Sequence, residues 1–307
     1  GRSRQASTLT PRAPAPHERR ERRMIHIGIL TWNGLADTRR CLASLLAHTR
    51  ATCRILVRDN GSTDGTPAVL RAIDDPRVTV HLGTENLGVA GGRNWLLDVM
   101  LADAADTDLL LLLDNDTEVA EGWEVPFIGA FARQPRLGVA GRWAYSMVVR
   151  ERGRDILAEH GAHAGPVDTV QGCVFWIRAR TAREVGHFDH TLGRFWHEDD
   201  DYAVRALHAG WDVQRVPGDG IVHHEHGTGV AVDPAKRAGS WHNQAVLAAK
   251  WRALGALDED GVPRRPVPEP HADTLDRLRT RLGRPVLRTE LNSALTEATL
   301  LLHARVP

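Results

Sequence analysis

The chain has 307 residues, 42% of them hydrophobic and 25% charged, the proportions of a globular protein with ample length to bury a core. Its formal net charge is zero, which excludes a global field of the kind that draws nucleic acid or an anionic membrane. No apolar run approaches the roughly 18–20 residues that span a bilayer.

In chain order, residues 1–23 are rich in arginine, carry Pro11, Pro14 and Pro16, and are expected to be disordered. Ile25–Leu30 reads as a strand. Ala36–His48 reads as a helix with Cys41, Leu42, Leu45 and Leu46 facing inward. A strand over Arg54–Val57 ends in the turn Asp59-Asn60-Gly61-Ser62, and a helix runs on to about Ile73. Val78–Leu82 is a third strand, Val89–Leu101 a third helix, and Leu109–Leu113 a wholly apolar fourth strand. This alternation predicts an α/β fold with a mostly parallel, Rossmann-like sheet and flanking helices.

The stretch 142–170 lacks periodicity and is expected to form loops over the site. A strand over Cys173–Ile177 follows, then a helix over Glu198–Ala209 closed by Gly210, and a helix over Pro234–Leu254. Asp258–Pro270 reads as a polar linker. Beyond it, Leu275, Leu278 and Leu282, then Leu291, Leu295 and Leu302, predict a C-terminal helical extension that packs on the domain or forms a homodimer. Cys41, Cys53 and Cys173 lack paired spacing and read as reduced core residues of a cytoplasmic protein.

Acidic and amide residues follow three of the strands, at Asp59-Asn60, Glu85-Asn86 and Asp114-Asn115-Asp116. The carboxyl ends of the strands frame the ligand crevice of an open α/β sheet, so the three clusters converge on one edge. Two carboxylates one residue apart after a buried strand suit a hard divalent cation, Mn²⁺ or Mg²⁺. Gly88, Gly91 and Gly92 at the start of a helix permit close backbone approach by a phosphate, with Arg93 either a further diphosphate contact or a solvated arginine on the helix surface. Glu198-Asp199-Asp200-Asp201 opens another helix between Phe195-Trp196 and Tyr202. His223-His224-Glu225-His226 lies downstream, and a neutral imidazole there can ligate a cation.

From about Met24 to Gly229 the chain resembles the family 2 glycosyltransferases, which have the A-type glycosyltransferase fold. The resemblance rests on Leu30-Thr31-Trp32-Asn33, Asp59 to Asp64, Asn86 to Asn94, Asp114 to Asp116, Gly172 with Val185 to Asp189, Phe195 to Asp201, and His223-His224, in that order. It implies a nucleotide-sugar donor, with UDP- and dTDP-sugars favoured. Asp59 would receive the base, framed by Thr31 and Asn33; Asn60, Asn86, Gly91, Arg93, Asp114 and Asn115 would line the donor site. It implies a metal on Asp114, Asp116 and His223, with His224 as the rival histidine. It implies inversion with Asp199 as general base and Asp200 as its rival. Residues 24–118 would then hold the donor, 119–257 the acceptor and the catalytic base, and 258–307 the linker and terminal helices.

The acceptor class stays broad: a saccharide, a natural product or another small molecule, reached from the cytoplasm or from the inner membrane face. Two other readings compete. A sugar-phosphate nucleotidyltransferase shares a similar sheet but begins with a Gly-rich basic loop where this chain has Thr31-Trp32-Asn33-Gly34. A non-catalytic nucleotide-sugar-binding module would have no use for the downstream acids. Nucleic-acid binding through the arginine-rich start finds no folded basic face to extend it.

Overall fold

The computed structural model describes residues 23–150, 153–159, 165–192, 196–224 and 234–265. The expected N-terminal disorder, the terminal helices with their homodimer contact, and Glu225 and His226 lie outside the described residues.

The central sheet has eight strands. Its first half is β1 (Ile25–Thr31), β2 (Cys53–Asp59), β3 (Val78–Leu82) and β4 (Leu109–Asp114), all mutually parallel in the spatial order β3-β2-β1-β4. Helices α1 (Leu35–His48), α2 (Thr66–Arg71) and α3 (Gly88–Asp103) make the crossovers. β4 continues through a turn into the short β5 (Thr117–Val119) and helix α4 (Val125–Arg133). Next come β6 (Leu137–Gly141), β7 (Ala144–Arg150), β8 (Gly153–Glu159), β9 (Gly165–Pro166), β10 (Thr169–Val170) and β11 (Val174–Arg178). Helices α5 (Ala179–Val185) and α6 (Glu198–His208), strands β12 (Asp212–Arg215) and β13 (Ile221–His223), and helix α7 (Pro234–Ala253) follow among the described residues.

β11 enters the sheet antiparallel between β4 and β6, while β6 and β12 run with the first four strands. The sheet is thus mostly parallel and continuous across both halves of the chain. Its apolar strands follow from burial on both faces. Leu109, Leu111 and Leu113 of β4 pack with Cys41, Leu42 and Leu45 of α1 and with Phe127 and Phe131 of α4. Leu110 and Leu112 pack oppositely, with Leu96, Leu97 and Met100 of α3 and Tyr202 of α6. Five consecutive leucines therefore all find core. All three cysteines are buried thiols.

Two regions depart from the sequence reading. Within 142–170, residues 144–150, 153–159 and 169–170 are not loops: β7 pairs with β8 and β10 in a separate three-stranded sheet. Residues 258–265 are not a free linker: the Val149 amide donates to the Gly261 carbonyl (2.8 Å), and Arg265 pairs with Asp168. No helix among the described residues is long and apolar enough to cross a membrane.

The turn after β2 depends on glycine. Gly61 has φ +80°, and a Cβ there would lie 3.0 Å from three backbone atoms of Glu85. Gly61→Ala is therefore expected to destabilise the fold by about 1–3 kcal/mol, read as a shift in the urea midpoint; an unchanged midpoint would contradict this packing.

Candidate active site

The site lies at the carboxyl ends of the first four strands. In register, Thr31 faces Asp59 and Leu30 faces Asp114. β13 pairs antiparallel with β5, setting His223 opposite Thr117, and the His224 amide donates to the Asp116 carbonyl (3.0 Å). That register delivers the His223 ring to the triplet: Nε2 lies 3.1 Å from Asp116 Oδ1. Ligand atoms of Asp114, Asp116 and His223 all fall within 4.8 Å of one another. Burial pulls the His223 imidazole down, but hydrogen bonds to Asp116 and Cys173 outweigh it and hold it up at about 11. The imidazolium thus supplies the positive charge that two adjacent carboxylates demand, and a divalent cation would replace its proton. His224 turns away: its Nε2 hydrogen-bonds Glu118 Oε1 (2.9 Å).

The His223 ring is braced. Trp143 lies across it with centroids 5.9 Å apart. Arg142, 4.8 Å over the Trp143 ring, donates to the carbonyls of Gly218 and Ile221 in the turn that leads into β13.

Arg93 is not placed to grip a diphosphate, a correction to the sequence reading. Its residue is only 4% exposed. Nη1 donates to Glu198 Oε1 (2.9 Å), and Nη2 to Asp114 Oδ1 (2.9 Å) and the Gly172 carbonyl (3.0 Å). A Cβ on Gly172 would sit 2.6 Å from Nη1, so glycine is what lets the guanidinium through. Arg93 ties the triplet to the first residue of α6.

Of the two candidate bases, Asp200 is closed off. It is 1% exposed; Oδ1 accepts from the Tyr145 (2.7 Å) and Thr169 (2.9 Å) hydroxyls, and Oδ2 from His197 Nδ1 (2.8 Å). Its lone pairs serve the fold, and an acceptor hydroxyl has no approach. Asp199 is half-buried, accepting from the Gly172 amide (2.8 Å) and the Asp200 amide (2.9 Å). Burial, then the carboxylates of Asp200 and Glu198, push its carboxyl up to about 7 against the opposing pull of Arg93 and His197. A base titrating there is matched to neutral pH.

The donor-side residues divide into two groups. Asn60 is buried and holds two turns together: Nδ2 donates to Asn86 Oδ1 (2.8 Å) and the Gly88 carbonyl (3.2 Å), while Oδ1 accepts from the Leu87 amide (3.2 Å). Asn86 also accepts from the Gly88 amide (2.8 Å). Thr31 is buried, its hydroxyl shared with Thr38 (2.7 Å) and receiving Asn115 Nδ2 (3.3 Å). The buried Asp59 carboxylate accepts from the Ser62 amide and hydroxyl. These side chains set loop shape. Asn33 and Trp32 are exposed at the rim; Asn33 adopts φ +50° and its Oδ1 accepts from the Thr63 amide (2.7 Å). Gly91 lies in the first turn of α3, where a Cβ would meet Leu87 Cβ at 3.0 Å. Gly92 is required for packing, since a Cβ would meet Leu30 at 2.5 Å.

The model of the family described as glycosyl transferase family 2 matches residues 26–187, more than half of the chain. The chain belongs to that family. It is a glycosyltransferase, and the matched segment carries β1 to β11 with the acidic triplet. Among curated relatives, the N-acetylglucosaminyl-diphospho-decaprenol L-rhamnosyltransferase of Mycobacterium tuberculosis is 28% identical over 257 residues, covering 70% of this chain and 82% of that one. The succinoglycan biosynthesis protein ExoO of Rhizobium meliloti is 33% identical over 91 residues, covering 30% of this chain and 25% of that one. Among solved structures, GalNAc-T7 with UDP, GalNAc and Mn²⁺ aligns with TM-score 0.56 and 14% identity over 76% of this chain. S. aureus TarS aligns with TM-score 0.50 and 16% identity over 64% of this chain. The chain spans 48% of the first structure and 36% of the second. Both share the A-type glycosyltransferase fold with this chain.

Sequence reasoning singled out Glu198 and Gly172 within motifs without giving either a role, and missed Cys173 and the Arg142–Trp143 brace as parts of the site. Gly172 beside Cys173, just ahead of an apolar strand, was the available signal. Nothing local marked Arg93 and Glu198 as partners. Arg93→Met strands the buried Glu198 without its cation and is expected to destabilise the fold by about 3–5 kcal/mol; adding Glu198→Gln should recover part of that loss. Urea unfolding of the single and double variants measures this, and additive losses would contradict a direct pair.

Proposed function

We propose that this enzyme transfers a sugar from a nucleoside-diphosphate donor, uridine or thymidine favoured, to an acceptor hydroxyl or amine with inversion at the anomeric carbon. One observation carries the reading: Asp199, half-buried and flanked by Glu198 and Asp200, stands one guanidinium away from the Asp114–Asp116–His223 cluster. The donor's diphosphate would lie against the triplet and the N-terminal end of α3, where the helix dipole favours an anion. The exposed Trp32 and Asn33 would border the base. A divalent cation held by Asp114, Asp116 and His223 would neutralise the charge that develops on the departing diphosphate. Those three donors fit Mn²⁺ or Mg²⁺, and the neighbour solved with UDP and Mn²⁺ supports the choice.

Asp199 accepts the acceptor proton as its oxygen attacks the anomeric carbon from the face opposite the leaving nucleotide, and one displacement inverts that centre. Asp200 cannot substitute for it, since its oxygens are occupied. For the acceptor we favour a saccharide carried on a polyprenyl diphosphate, on the strength of the mycobacterial relative. The enzyme would meet such a substrate from the cytoplasmic membrane face as a peripheral protein.

The test is turnover with a panel of UDP- and dTDP-sugars, Mn²⁺ and a short-chain prenyl-diphosphate saccharide, with the product anomer assigned by NMR. A retained anomeric configuration would overturn the single displacement. Asp199→Asn should lower kcat by at least about 100-fold with nucleotide affinity unchanged by calorimetry; near-normal turnover would remove Asp199 from the role. Because the Asp199 carboxyl is raised, its active anionic form is lost as pH falls through about 7. Log kcat should therefore drop about one unit per pH unit below that value, whereas a limb near the ordinary carboxylate range would contradict the assignment. Asp116→Asn and His223→Ala should each raise the Mn²⁺ concentration needed for half-maximal rate by about 10–100-fold.

A further inference from the structure

Helix α6 starts in an unfavourable way. Trp196 (φ +65°) and His197 (φ +73°) precede it in the left-handed region, and neither is glycine. Such residues cost of order 1–3 kcal/mol each and persist only where the surroundings hold them. The N-cap makes no side-chain capping bond to the helix amides, so the restraint must come from elsewhere.

It comes from α7. Ser240 Oγ hydrogen-bonds His197 Nε2 (2.8 Å), and Gln244 Nε2 lies 3.5 Å from the same nitrogen. Asn243 Nδ2 donates to the carbonyls of Leu192 and Trp196. Through its other nitrogen, His197 donates to Asp200 Oδ2, and Asp200 is fixed by Tyr145 of β7 and Thr169 of β10. Further along, Trp251 Nε1 (3.1 Å) and Lys250 Nζ (2.8 Å) reach the fully buried Asp201, and Lys250 also pairs with Asp189 (2.6 Å). Successive residues on a helix point about 100° apart, so the four carboxylates diverge. Glu198 goes to Arg93, Asp200 to His197, and Asp201 to Arg205 and α7, leaving Asp199 half-buried between them.

We propose that His197 is a positioning residue for Asp199, locked by Ser240, and that α7 thereby belongs to the catalytic apparatus although it lies outside the family-matched segment. This rests on Asp199 as the base. His197 does not meet either substrate. It holds the first turn of α6 in the one register that aims Asp199 at the attacking oxygen, and it offsets the Asp200 charge beside that carboxyl. Among the described residues, the charged or titratable groups that act on Asp199 are Asp200, Glu198 and His197 at the start of α6, and Arg93 from α3.

The test is steady-state kinetics and pH profiles of Ser240→Ala, Ser240→Thr and His197→Gln in the full chain, with nucleotide–Mn²⁺ affinity by calorimetry and thermal melting alongside. A displacement of about 1 Å at a reacting group can cost on the order of 100-fold in rate. Ser240→Ala is therefore expected to lower kcat about 10-fold or more, with nucleotide affinity and melting temperature close to those of the parent, and Ser240→Thr to restore the rate. His197→Gln is expected to move the acidic limb of the kcat profile to higher pH, because the group that offsets Asp200 is lost. A Ser240→Ala enzyme with parental kcat, or a His197→Gln enzyme with an unmoved limb, overturns the proposal. So does a loss of nucleotide affinity in step with kcat, which would mean general loosening of the site. Should His197→Gln fail to fold, the Ser240 pair decides alone. If Asp199→Asn kept near-normal turnover, the base assignment itself would fall, whatever the Ser240 variants did.

Discussion

A single buried guanidinium governs the arrangement of this site. Arg93 projects from α3 across the gap between β4 and α6, and each of its terminal nitrogens has a carboxylate partner. Burying the cation with Glu198 is unfavourable unless the pair meets in good geometry, and the half-exposed Asp114 takes the remaining nitrogen, so the positions of Asp114 and Glu198 are set relative to one another within hydrogen-bond tolerance. Gly172 closes the circuit, its carbonyl accepting from Arg93 and its amide donating to Asp199. The residue at the donor end and the residue proposed to take the acceptor proton are thus indexed to the same group.

The turns at the strand ends work differently. Several of their polar side chains are consumed in shaping the backbone. Asn60 and Asn86 bond each other across two loops, Asn94 exchanges a reciprocal pair of hydrogen bonds with the Phe188 backbone (2.9 and 2.8 Å), and Asp59 caps its own turn through Ser62. Several loop amides are consumed as well, those of Ser62, Thr63, Leu87 and Gly88 among them. The exposed side chains at the rim are few, Trp32 and Asn33 among them. A site built this way presents a nearly rigid mould, since the side chains of Asn60, Asn86, Asn94 and Asp59 are held inside the protein.

Much of this was legible in the sequence because it is written in local patterns. The strands β1 to β4 and the helices between them follow from apolar runs, and the five leucines of β4 mark a central strand because both faces are covered. The convergence of Asp59, Asn86 and Asp114 follows from strand order alone. Residues 144–150 were misread because both faces of β7 are also covered: its burial runs almost without alternation, and without either period it resembled loop. The choice between Asp199 and Asp200 could not be read locally. Neighbours on a helix differ only in direction, and Asp200 is closed by Tyr145 and Thr169, 55 and 31 residues earlier. Arg93 and Glu198 are 105 residues apart, and a solvated arginine and a buried clamp look the same in one dimension.

The two-stranded pairing of β5 with β13 has a bearing on how the chain matures. His223 lies 107 positions beyond Asp116 (223 − 116), and that short antiparallel contact, braced by Arg142 and Trp143, brings them together. A chain folded through β4 already has its parallel strands and nucleotide-type turns, yet it holds just two of the three cation donors. Assembly of the third waits on closure of a long loop, among the slower events in folding. A cation held, as proposed, on all three donors would therefore bind only a molecule whose C-terminal half is already in place.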